Sequence, residues 1–351
     1  MLFMLTRRGR MAKKRSVPTV REIASHCGVS VATVSRVLNR KYTNGFSVRQ
    51  ELHNHITKVA DELGYRPNLA AKNLVQRQTM TVAILGCNTV FGWPSNIYQN
   101  TSEAAIRLLQ SRGYNVCITA PNLERDNTEL PPWRVDGVLV LQECSPETID
   151  EMERIDVPYV VVNGKGGPSC SSVVPDDIHA ARRAVEHLLG LGHRRIAYAG
   201  PTPQHRSHAS VADRHQTYLS ELRIRGLEPI AGHNEQFISG LDYLVSVVLK
   251  QKATAIVAYD HVIALKILHD AHILNIDIPR QVSLICFNDE YLCDMVMPPL
   301  TTIGVPSRQM GQIAAEMLLR QMEAAPGERP AEHIRVQQEL VVRSSTAEPI
   351  R

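Results

Sequence analysis

This chain is poor in aromatic residues and has no long hydrophobic run. Phenylalanine, tryptophan and tyrosine together make up 5% of its 351 residues. No apolar stretch approaches the roughly 18 residues that a membrane helix needs. The apolar residues 2–5 are too few for the core of a signal peptide. We therefore expect neither a membrane-spanning protein nor a secreted one.

The cysteine pattern leads to the same expectation. Seven cysteines are scattered along the chain, an odd number, and no two form a C-x-x-C pair. Disulfide frameworks and zinc ribbons both need cysteines that occur in pairs at regular spacings. The spacing therefore argues against both, and the cytoplasm is the predicted compartment.

Catalytic and metal-binding motifs are also absent. The chain has no G-x-S-x-G elbow, no G-x-x-x-x-G-K-[ST] phosphate loop and no H-E-x-x-H pair. His205, His208 and His215 are near one another in sequence but have no accompanying cysteine, so we predict no metal site. The glycine-rich residues 164–167 are followed by a proline and a strand-like run, not by the helix of a phosphate site. We expect neither an enzyme nor a cofactor.

What the chain does have is an uneven distribution of charge. Its formal net charge is only +4, but residues 1–78 hold fifteen Lys/Arg and four Asp/Glu, a net of +11, while the remainder carries −7. A small basic module joined to a larger acidic body is typical of a protein that binds a polyanion. The alternative interpretation of the basic module is an unstructured tail.

The basic module has the capping pattern of a helix-turn-helix. Thr19 begins an S/T-x-x-E capping box, which marks the start of a helix. Gly28 ends that helix, because a tight turn favours a residue that tolerates positive φ. Ser30 is a second N-cap, so a second helix is predicted over residues 31–38. A third helical pattern covers residues 47–63. The basic charge favours a helix-turn-helix over another small three-helix bundle.

The second helix has one apolar side and one side suited to a DNA groove. Val34 and Val37 share a face by helical periodicity. The opposite arc presents Ala32, Ser35 and Arg36. A recognition helix needs this division, because its back packs on the domain while small, polar and basic groups face the bases.

Beyond residue 80, buried-strand patterns alternate with amphipathic helix patterns. Strands are predicted at residues 81–85, 116–119, 137–141, 159–162, 195–199, 253–258 and 282–287. Helices are predicted at residues 95–111, 178–191, 212–225, 242–250 and 261–274. This alternation predicts parallel sheets with helices on both faces, and the length suits two lobes.

Specific motifs now carry a resemblance to a known family. Residues 33–39 (TVSRVLN) and 62–68 (ELGYRPN) resemble the headpiece and hinge of lactose-repressor (LacI/GalR) transcription factors. Residues 191–197 (LGHRRIA) and 298–303 (PPLTTI) are similar to that family's effector-binding body. The matches run in order across nearly the whole chain.

The resemblance implies the domain organisation. A helix-turn-helix headpiece is expected in residues 1–66, a hinge helix and linker in residues 67–78, and a two-lobed, periplasmic-binding-protein-like α/β domain in residues 79–351. Lobe 1 is expected over residues 79–176 and 305–325, and lobe 2 over residues 177–304 and 326–351. Residues 1–10 fit no part of the family pattern, so Met11 is the expected native start. The family usually has another helix at residues 120–136, but here the connection is too short for one. Lobe 1 is therefore expected to lack that helix, which would alter one of its faces.

The resemblance also implies how DNA is contacted. Val31 and Ala32 occupy the family's two specificity positions, and Arg36 that of a base-contacting arginine, which suits bidentate recognition of guanine. Leu74 occupies the position of a leucine that wedges into the minor groove and kinks the duplex. The remaining expected DNA-contacting residues are Thr19, Ser30, Thr33, Ser35, Asn39, Asn68, Ala71 and Lys72.

For the effector cleft, the resemblance implies a set of residues that follow the strands. Arg214 falls on the family's ligand-contacting arginine, whereas Asn163 and Asn288 stand where sugar-binding members commonly have aspartates. Phe91 and Trp93 either stack on a sugar ring or belong to a packed surface loop. Asn88, Tyr259 and Asp260 complete the expected cleft.

Two kinds of effector follow from these residues. If Arg214 is not neutralised by the two missing aspartates, an anion such as a sugar acid or phosphosugar is favoured. The alternative is a neutral sugar held by asparagine amides. In either case we expect a dimeric repressor that binds a near-palindromic operator and whose operator affinity changes when a small effector binds between the lobes. Whether the effector releases or promotes DNA binding is open.

Overall fold

The computed structural model describes residues 18–38, 48–66, 78–86, 96–119, 130–142, 145–164, 166–167, 170–201, 208–230, 240–325 and 327–350. The chain divides into two compact units, Met1–Arg77 and Gln78–Arg351. In the described ranges no helix is long and apolar enough to cross a membrane.

The first unit contains three described helices around a small apolar core. They are α1 (Val20–Cys27), α2 (Val31–Leu38) and α3 (Gln50–Glu62). Ile23, Val34, Val37 and Ile56 are almost fully buried and come from all three helices. The first two helices begin at the predicted residues, and α3 begins three residues later than the predicted start at residue 47.

The first lobe of the second unit is built on a six-stranded sheet in the order β10-β5-β4-β3-β1-β2. All its strand pairs are parallel. Its elements are β1 (Thr81–Leu85), α4 (Asn96–Ser111), β2 (Asn115–Ile118), β3 (Gly137–Leu141), α5 (Pro146–Arg154), β4 (Tyr159–Val162), β5 (Ser171–Pro175), α11 (Ser307–Glu323) and β10 (His333–Val336).

Alternating strand residues of this sheet pack into two separate cores. Leu139 and Leu141 join the core under α4 and α11, while Val138 and Val140 join the core on the other face of the sheet. Helices α4 and α11 approach closely because Gly311 has no side chain, and a Cβ there would overlap the Thr101 carbonyl. The buried strands therefore have helices on both faces, as in other open parallel sheets.

The second lobe is built on a five-stranded sheet in the order β11-β9-β8-β7-β6, in which only the β11–β9 pair is antiparallel. One continuous core of buried residues runs through this lobe. Its elements are α6 (Asp177–Gly190), β6 (Ile196–Ala199), α7 (Ala209–Ile224), α8 (Gly240–Leu244), a π-helical turn (Val245–Lys250), β7 (Ala255–Ala258), α9 (His261–Ile273), β8 (Ser283–Phe287), α10 (Tyr291–Met295), β9 (Thr301–Gly304) and β11 (Glu339–Val341).

The chain passes between the lobes three times, and one crossing differs from the prediction. It leaves the first sheet after β5 and returns to it after β9. The expected third crossing near residue 325 is wrong, because β10 pairs with β5 in the first sheet. The crossing lies between β10 and β11, so residues 333–336 belong to lobe 1 and not to lobe 2.

Most predicted elements are present with small shifts at their ends. The single helix predicted over residues 242–250 is instead α8 followed by the π-helical turn. Helices α5, α10 and α11 and strands β9, β10 and β11 were not predicted, and β5 was noted only as a strand-like run after residue 168. The short connection at residues 120–136 lies mostly outside the described residues.

Candidate functional site

The turn between α1 and α2 is built by local hydrogen bonds. The Thr19 Oγ1 accepts from the Glu22 backbone N–H at 3.3 Å, and the Glu22 Oε2 accepts from the Thr19 N–H at 2.7 Å. Gly28 ends α1 in the left-handed conformation, with φ 65°. The Ser30 Oγ then accepts from the Thr33 N–H at 3.1 Å and caps α2. These bonds satisfy helix-end donors and set where the second helix begins.

Helix α2 is divided into a buried and an exposed side. Val34 and Val37 are buried, whereas Val31, Ala32 and Arg36 are exposed. Val31 exposes 45% of its surface. The exposed side therefore has the composition of a recognition helix, with small apolar groups beside an arginine.

Of the other predicted DNA-contacting residues, Thr19 and Ser30 are exposed at the starts of α1 and α2, and Thr33 and Ser35 are half-buried on α2. The rest lie outside the described residues: Asn39, Asn68, Ala71, Lys72 and Leu74.

In the second unit, the predicted cleft residues lie at the carboxyl ends of parallel strands. Asn163 follows β4, Tyr259 and Asp260 follow β7, and Asn288 follows β8. Asn163 and Asn288 both have left-handed backbones, with φ of 58° and 70°. Asparagine tolerates this conformation better than most residues, so these positions suit it sterically as well as chemically. Ligands of open α/β folds bind at this edge of the sheet.

Asn163 connects the two lobes. Its side-chain amide donates to the Tyr98 hydroxyl at 2.9 Å, and its backbone carbonyl lies 2.9 Å from Nε2 of His208, at the start of α7. A cavity of about 560 Å³ adjoins it, lined also by Asp177, Ser210 and Arg335. A cavity of this size suits a small ligand.

Arg214 is present in the cleft region but is neutralised. Its guanidinium lies 2.7 Å from Oδ1 of Asp177, and both side chains are almost fully buried. Arg214 Nη1 also donates to the Tyr259 carbonyl at 2.7 Å, and the guanidinium lies 4.3 Å from the centroid of the Phe287 ring. The expectation of an unneutralised arginine is therefore wrong, because a carboxylate that the motif comparison did not indicate pairs with it.

The two residues after β7 also have structural partners. The Tyr259 hydroxyl is 2.8 Å from the Ser210 Oγ. Burial raises the pKa of Tyr259 above its ordinary value, so the hydroxyl stays protonated. Asp260 accepts from the Ile263 N–H at 2.9 Å and caps α9. Asp289, which follows Asn288, also has a partner, because its carboxylate lies 2.7 Å from the Arg343 guanidinium.

Sequence reasoning missed Asp177, Tyr98 and Ser210 and declined a role for His208. Asp177 is the first residue of α6, where an acidic residue is explained by the helix dipole alone. Asn88, Phe91 and Trp93 lie outside the described residues. Of the three histidines considered for a metal, His205 also lies outside them, and the His215 ring lies tilted against that of Tyr198, with ring centroids 5.1 Å apart.

Comparison with known families matches both units. Residues 19–68 match the family described as bacterial regulatory proteins, lacI family. Residues 185–346 match the periplasmic binding protein-like domain. The first match covers helices α1, α2 and α3. The second covers most of lobe 2, together with α11 and β10 of lobe 1.

Known relatives cover nearly the whole chain. The HTH-type transcriptional regulator reg1 of Streptomyces lividans is 30% identical over 344 residues, which cover 93% of this chain and 96% of the relative. The HTH-type transcriptional repressor CytR of Escherichia coli K12 is 29% identical over 348 residues, covering 95% and 98%. Among solved structures, a CelR transcriptional regulator in complex with cellobiose is 25% identical, covers 93% of this chain and 99% of its own, and superposes with a TM-score of 0.61.

The fold and the recognition helix thus define a DNA-binding transcriptional regulator with a periplasmic-binding-protein-like body. The chain belongs to the lacI family of bacterial regulatory proteins.

Proposed function

We propose that this protein is a cytoplasmic, dimeric repressor that binds a near-palindromic operator and has no catalytic role. The observation that carries the proposal is helix α2, whose exposed Val31, Ala32 and Arg36 face away from the core of the first unit. One headpiece can read only one half-site, so a palindromic operator requires two copies of the chain. Relatives named as a regulator and a repressor support this role.

We further propose that the effector is a neutral sugar. Arg214 and Asp289, two charged groups near the cleft, already have partners, because Arg214 pairs with Asp177 and Asp289 pairs with Arg343. An anion would compete with Asp177 for a fully buried guanidinium and would leave that carboxylate unpaired. The Asn163 and Asn288 amides donate and accept hydrogen bonds without charge, as hydroxyl groups require. The cellobiose complex of the similar regulator supports a sugar.

The proposed effector acts by favouring one arrangement of the lobes. The bond between His208 and the Asn163 carbonyl joins lobe 2 to lobe 1 beside the cavity. A ligand that bridges the strand ends of both lobes changes the relative stability of open and closed arrangements. Through the dimer, that change alters how two headpieces fit one operator.

Isothermal titration with neutral sugars and their acids tests the effector. We would titrate the full chain with a panel of neutral mono- and disaccharides, including cellobiose, and with the matching aldonic acids. For any sugar that binds, we expect the neutral form to bind more tightly than its aldonic acid. Tighter binding of the acid would contradict the neutral-sugar proposal without affecting the DNA-binding role.

The predicted minor-groove wedge has its own test. Replacing Leu74 with Ala is expected to weaken operator binding, because the DNA bend loses its apolar wedge. Sugar affinity measured on the same variant should stay unchanged. An operator affinity equal to that of the wild type would rule out the wedge.

A further inference from the structure

A second cavity lies where the chain makes its last crossing between the lobes. It has a volume of about 630 Å³. Helix α6 of lobe 2 lines it with His179 and Arg183, and helix α11 of lobe 1 lines it with Gln309. Strand β10 adds Arg335, the crossing adds Gln338, and strand β11 adds Glu339. We call it the hinge cavity.

Gln338 is the buried polar group of the hinge cavity. It exposes only 4% of its surface. Its Nε2 donates to Oδ1 of Asp177 at 3.1 Å, but its buried Oε1 has no hydrogen-bond partner among the residues that the structure describes. A buried acceptor without a partner costs free energy, so it calls for a ligand or water that donates a hydrogen bond. The Nδ1 of His179 is buried without a partner in the same described set.

Two arginines supply positive charge to the same cavity. Arg183 lies one helical turn after His179, is exposed, and makes no ion pair with the described residues. Arg335 has a single long ion pair, 3.8 Å from Asp213. Guanidinium groups bind carboxylate and phosphate oxygens well because they present several N–H donors in one plane.

The mixture of groups restricts the ligand. A bare anion would satisfy the arginines but would offer no donor to the Gln338 Oε1 and would face the Glu339 carboxylate. A neutral polyol would leave Arg183 without a counter-ion. We propose that the hinge cavity binds a small anion that also carries hydroxyl groups, of the class of sugar phosphates and sugar acids.

This site shares Arg335 with the cavity beside Asn163 but otherwise has different lining residues, and hydrogen bonds connect the two. Gln338 bonds to Asp177, and Asp177 pairs with Arg214, which in turn donates to the Tyr259 carbonyl. A ligand that orders Gln338 therefore acts on the hydrogen-bond chain that leads to the strand ends of the cleft. A ligand in the hinge cavity also contacts both lobes, so it stabilises one arrangement of the lobes over another.

Calorimetric titration of the full chain with three probes tests the proposal. The probes are glycerol 3-phosphate, inorganic phosphate and glycerol. Glycerol 3-phosphate is expected to bind more tightly than inorganic phosphate, and glycerol is expected not to bind. The variant R183Q should weaken glycerol 3-phosphate binding by roughly tenfold or more, since a charge-assisted hydrogen bond is lost.

Matched variants separate this site from others. R223Q removes an exposed arginine of α7 that does not line the hinge cavity, and it should bind glycerol 3-phosphate as the wild type does. N288A alters the proposed sugar cleft and should also leave this binding unchanged. Failure of glycerol 3-phosphate to bind, equal binding by R183Q, or equal affinity for inorganic phosphate would each overturn the proposal. None of these outcomes bears on the neutral-sugar effector.

Discussion

At the scale of single residues, the charge of the cleft depends on one ion pair. Arg214 and Asp177 are both almost fully buried, so neither charge is solvated when the other is removed. Motif position placed Arg214 near the effector from sequence alone. Its partner lies 37 residues earlier in the chain. A single sequence contains no sign of such a pairing, because only the folded chain brings the two residues together.

Replacing Asp177 with Asn should therefore destabilise the second unit strongly. A buried guanidinium left without its counter-ion costs about 3–5 kcal/mol. Urea unfolding followed by circular dichroism measures the change. Glu103→Gln is the control, because its ion pairs with Arg107 and Arg308 are exposed and contribute little to stability. Equal effects of the two substitutions would contradict the importance of the buried pair.

We expect His193 to make the stability of lobe 2 depend on pH. It is buried at the end of α6 and lies within hydrogen-bond distance of Thr254, Ser283 and the Ala347 carbonyl. Burial lowers the pKa of His193 below its ordinary value of 6.5. Above that value both the folded and the unfolded chain hold the neutral ring, so the pKa shift costs no stability. Below it, the unfolded chain takes up a proton that the folded chain resists.

The free energy of unfolding should accordingly fall as the pH drops below about 6.5. Replacing His193 with Gln should reduce this pH dependence, although the variant is less stable overall. Urea unfolding at pH 7.5 and at pH 5.5 gives the comparison. The exposed His272→Gln serves as the control and should keep the wild-type dependence. An unchanged pH dependence in the His193 variant would contradict this role.

At the scale of elements, the starts of α1 and α2 were predictable, whereas the short strands β10 and β11 were not. The caps of α1 and α2 are bonds between residues three apart, so a short window of sequence contains both partners. Strands β10 and β11 have only four and three residues, and several of their side chains are exposed. Their strand conformation comes from pairing with β5 and β9, which is not a local property.

Removing the Ser30 cap should loosen the recognition helix. Ser30→Ala loses the acceptor for the Thr33 N–H, which costs about 1 kcal/mol. Amide hydrogen exchange of residues 31–38 should then become roughly fivefold faster, as that free energy implies. Ser30→Asp keeps an acceptor and should restore protection, while Ser25→Ala in α1 is the matched control. Unchanged exchange in Ser30→Ala would show that the cap does not hold α2.

At the scale of the whole molecule, the two-lobed architecture was predictable but the path of the last segment was not. Alternating strand and helix patterns indicate parallel sheets wherever they occur. The sheet that receives β10 depends on a pairing between His333 and Ser172, which are 161 residues apart in sequence. That pairing moves the last crossing to the hinge cavity, where Gln338 contacts Asp177.

The charge distribution of the whole molecule leads to the central claim. The basic excess of residues 1–78 accompanies a helix-turn-helix, and the acidic body contains the proposed sugar cleft. Phosphate contacts by Lys and Arg release counterions, so affinity for DNA should depend steeply on salt. Arg36 adds recognition of a base, worth about 1–3 kcal/mol, beyond this general attraction.

The most direct test is fluorescence anisotropy on a site selected by the protein from random DNA. We expect the selection to yield a near-palindrome, with affinity falling about a thousandfold or more between 50 and 200 mM salt. The variant R36A should lose preference for the selected site over a scrambled one, whereas K58A on α3 should keep it. Selection of no palindrome, or an affinity that does not change with salt, would contradict the account.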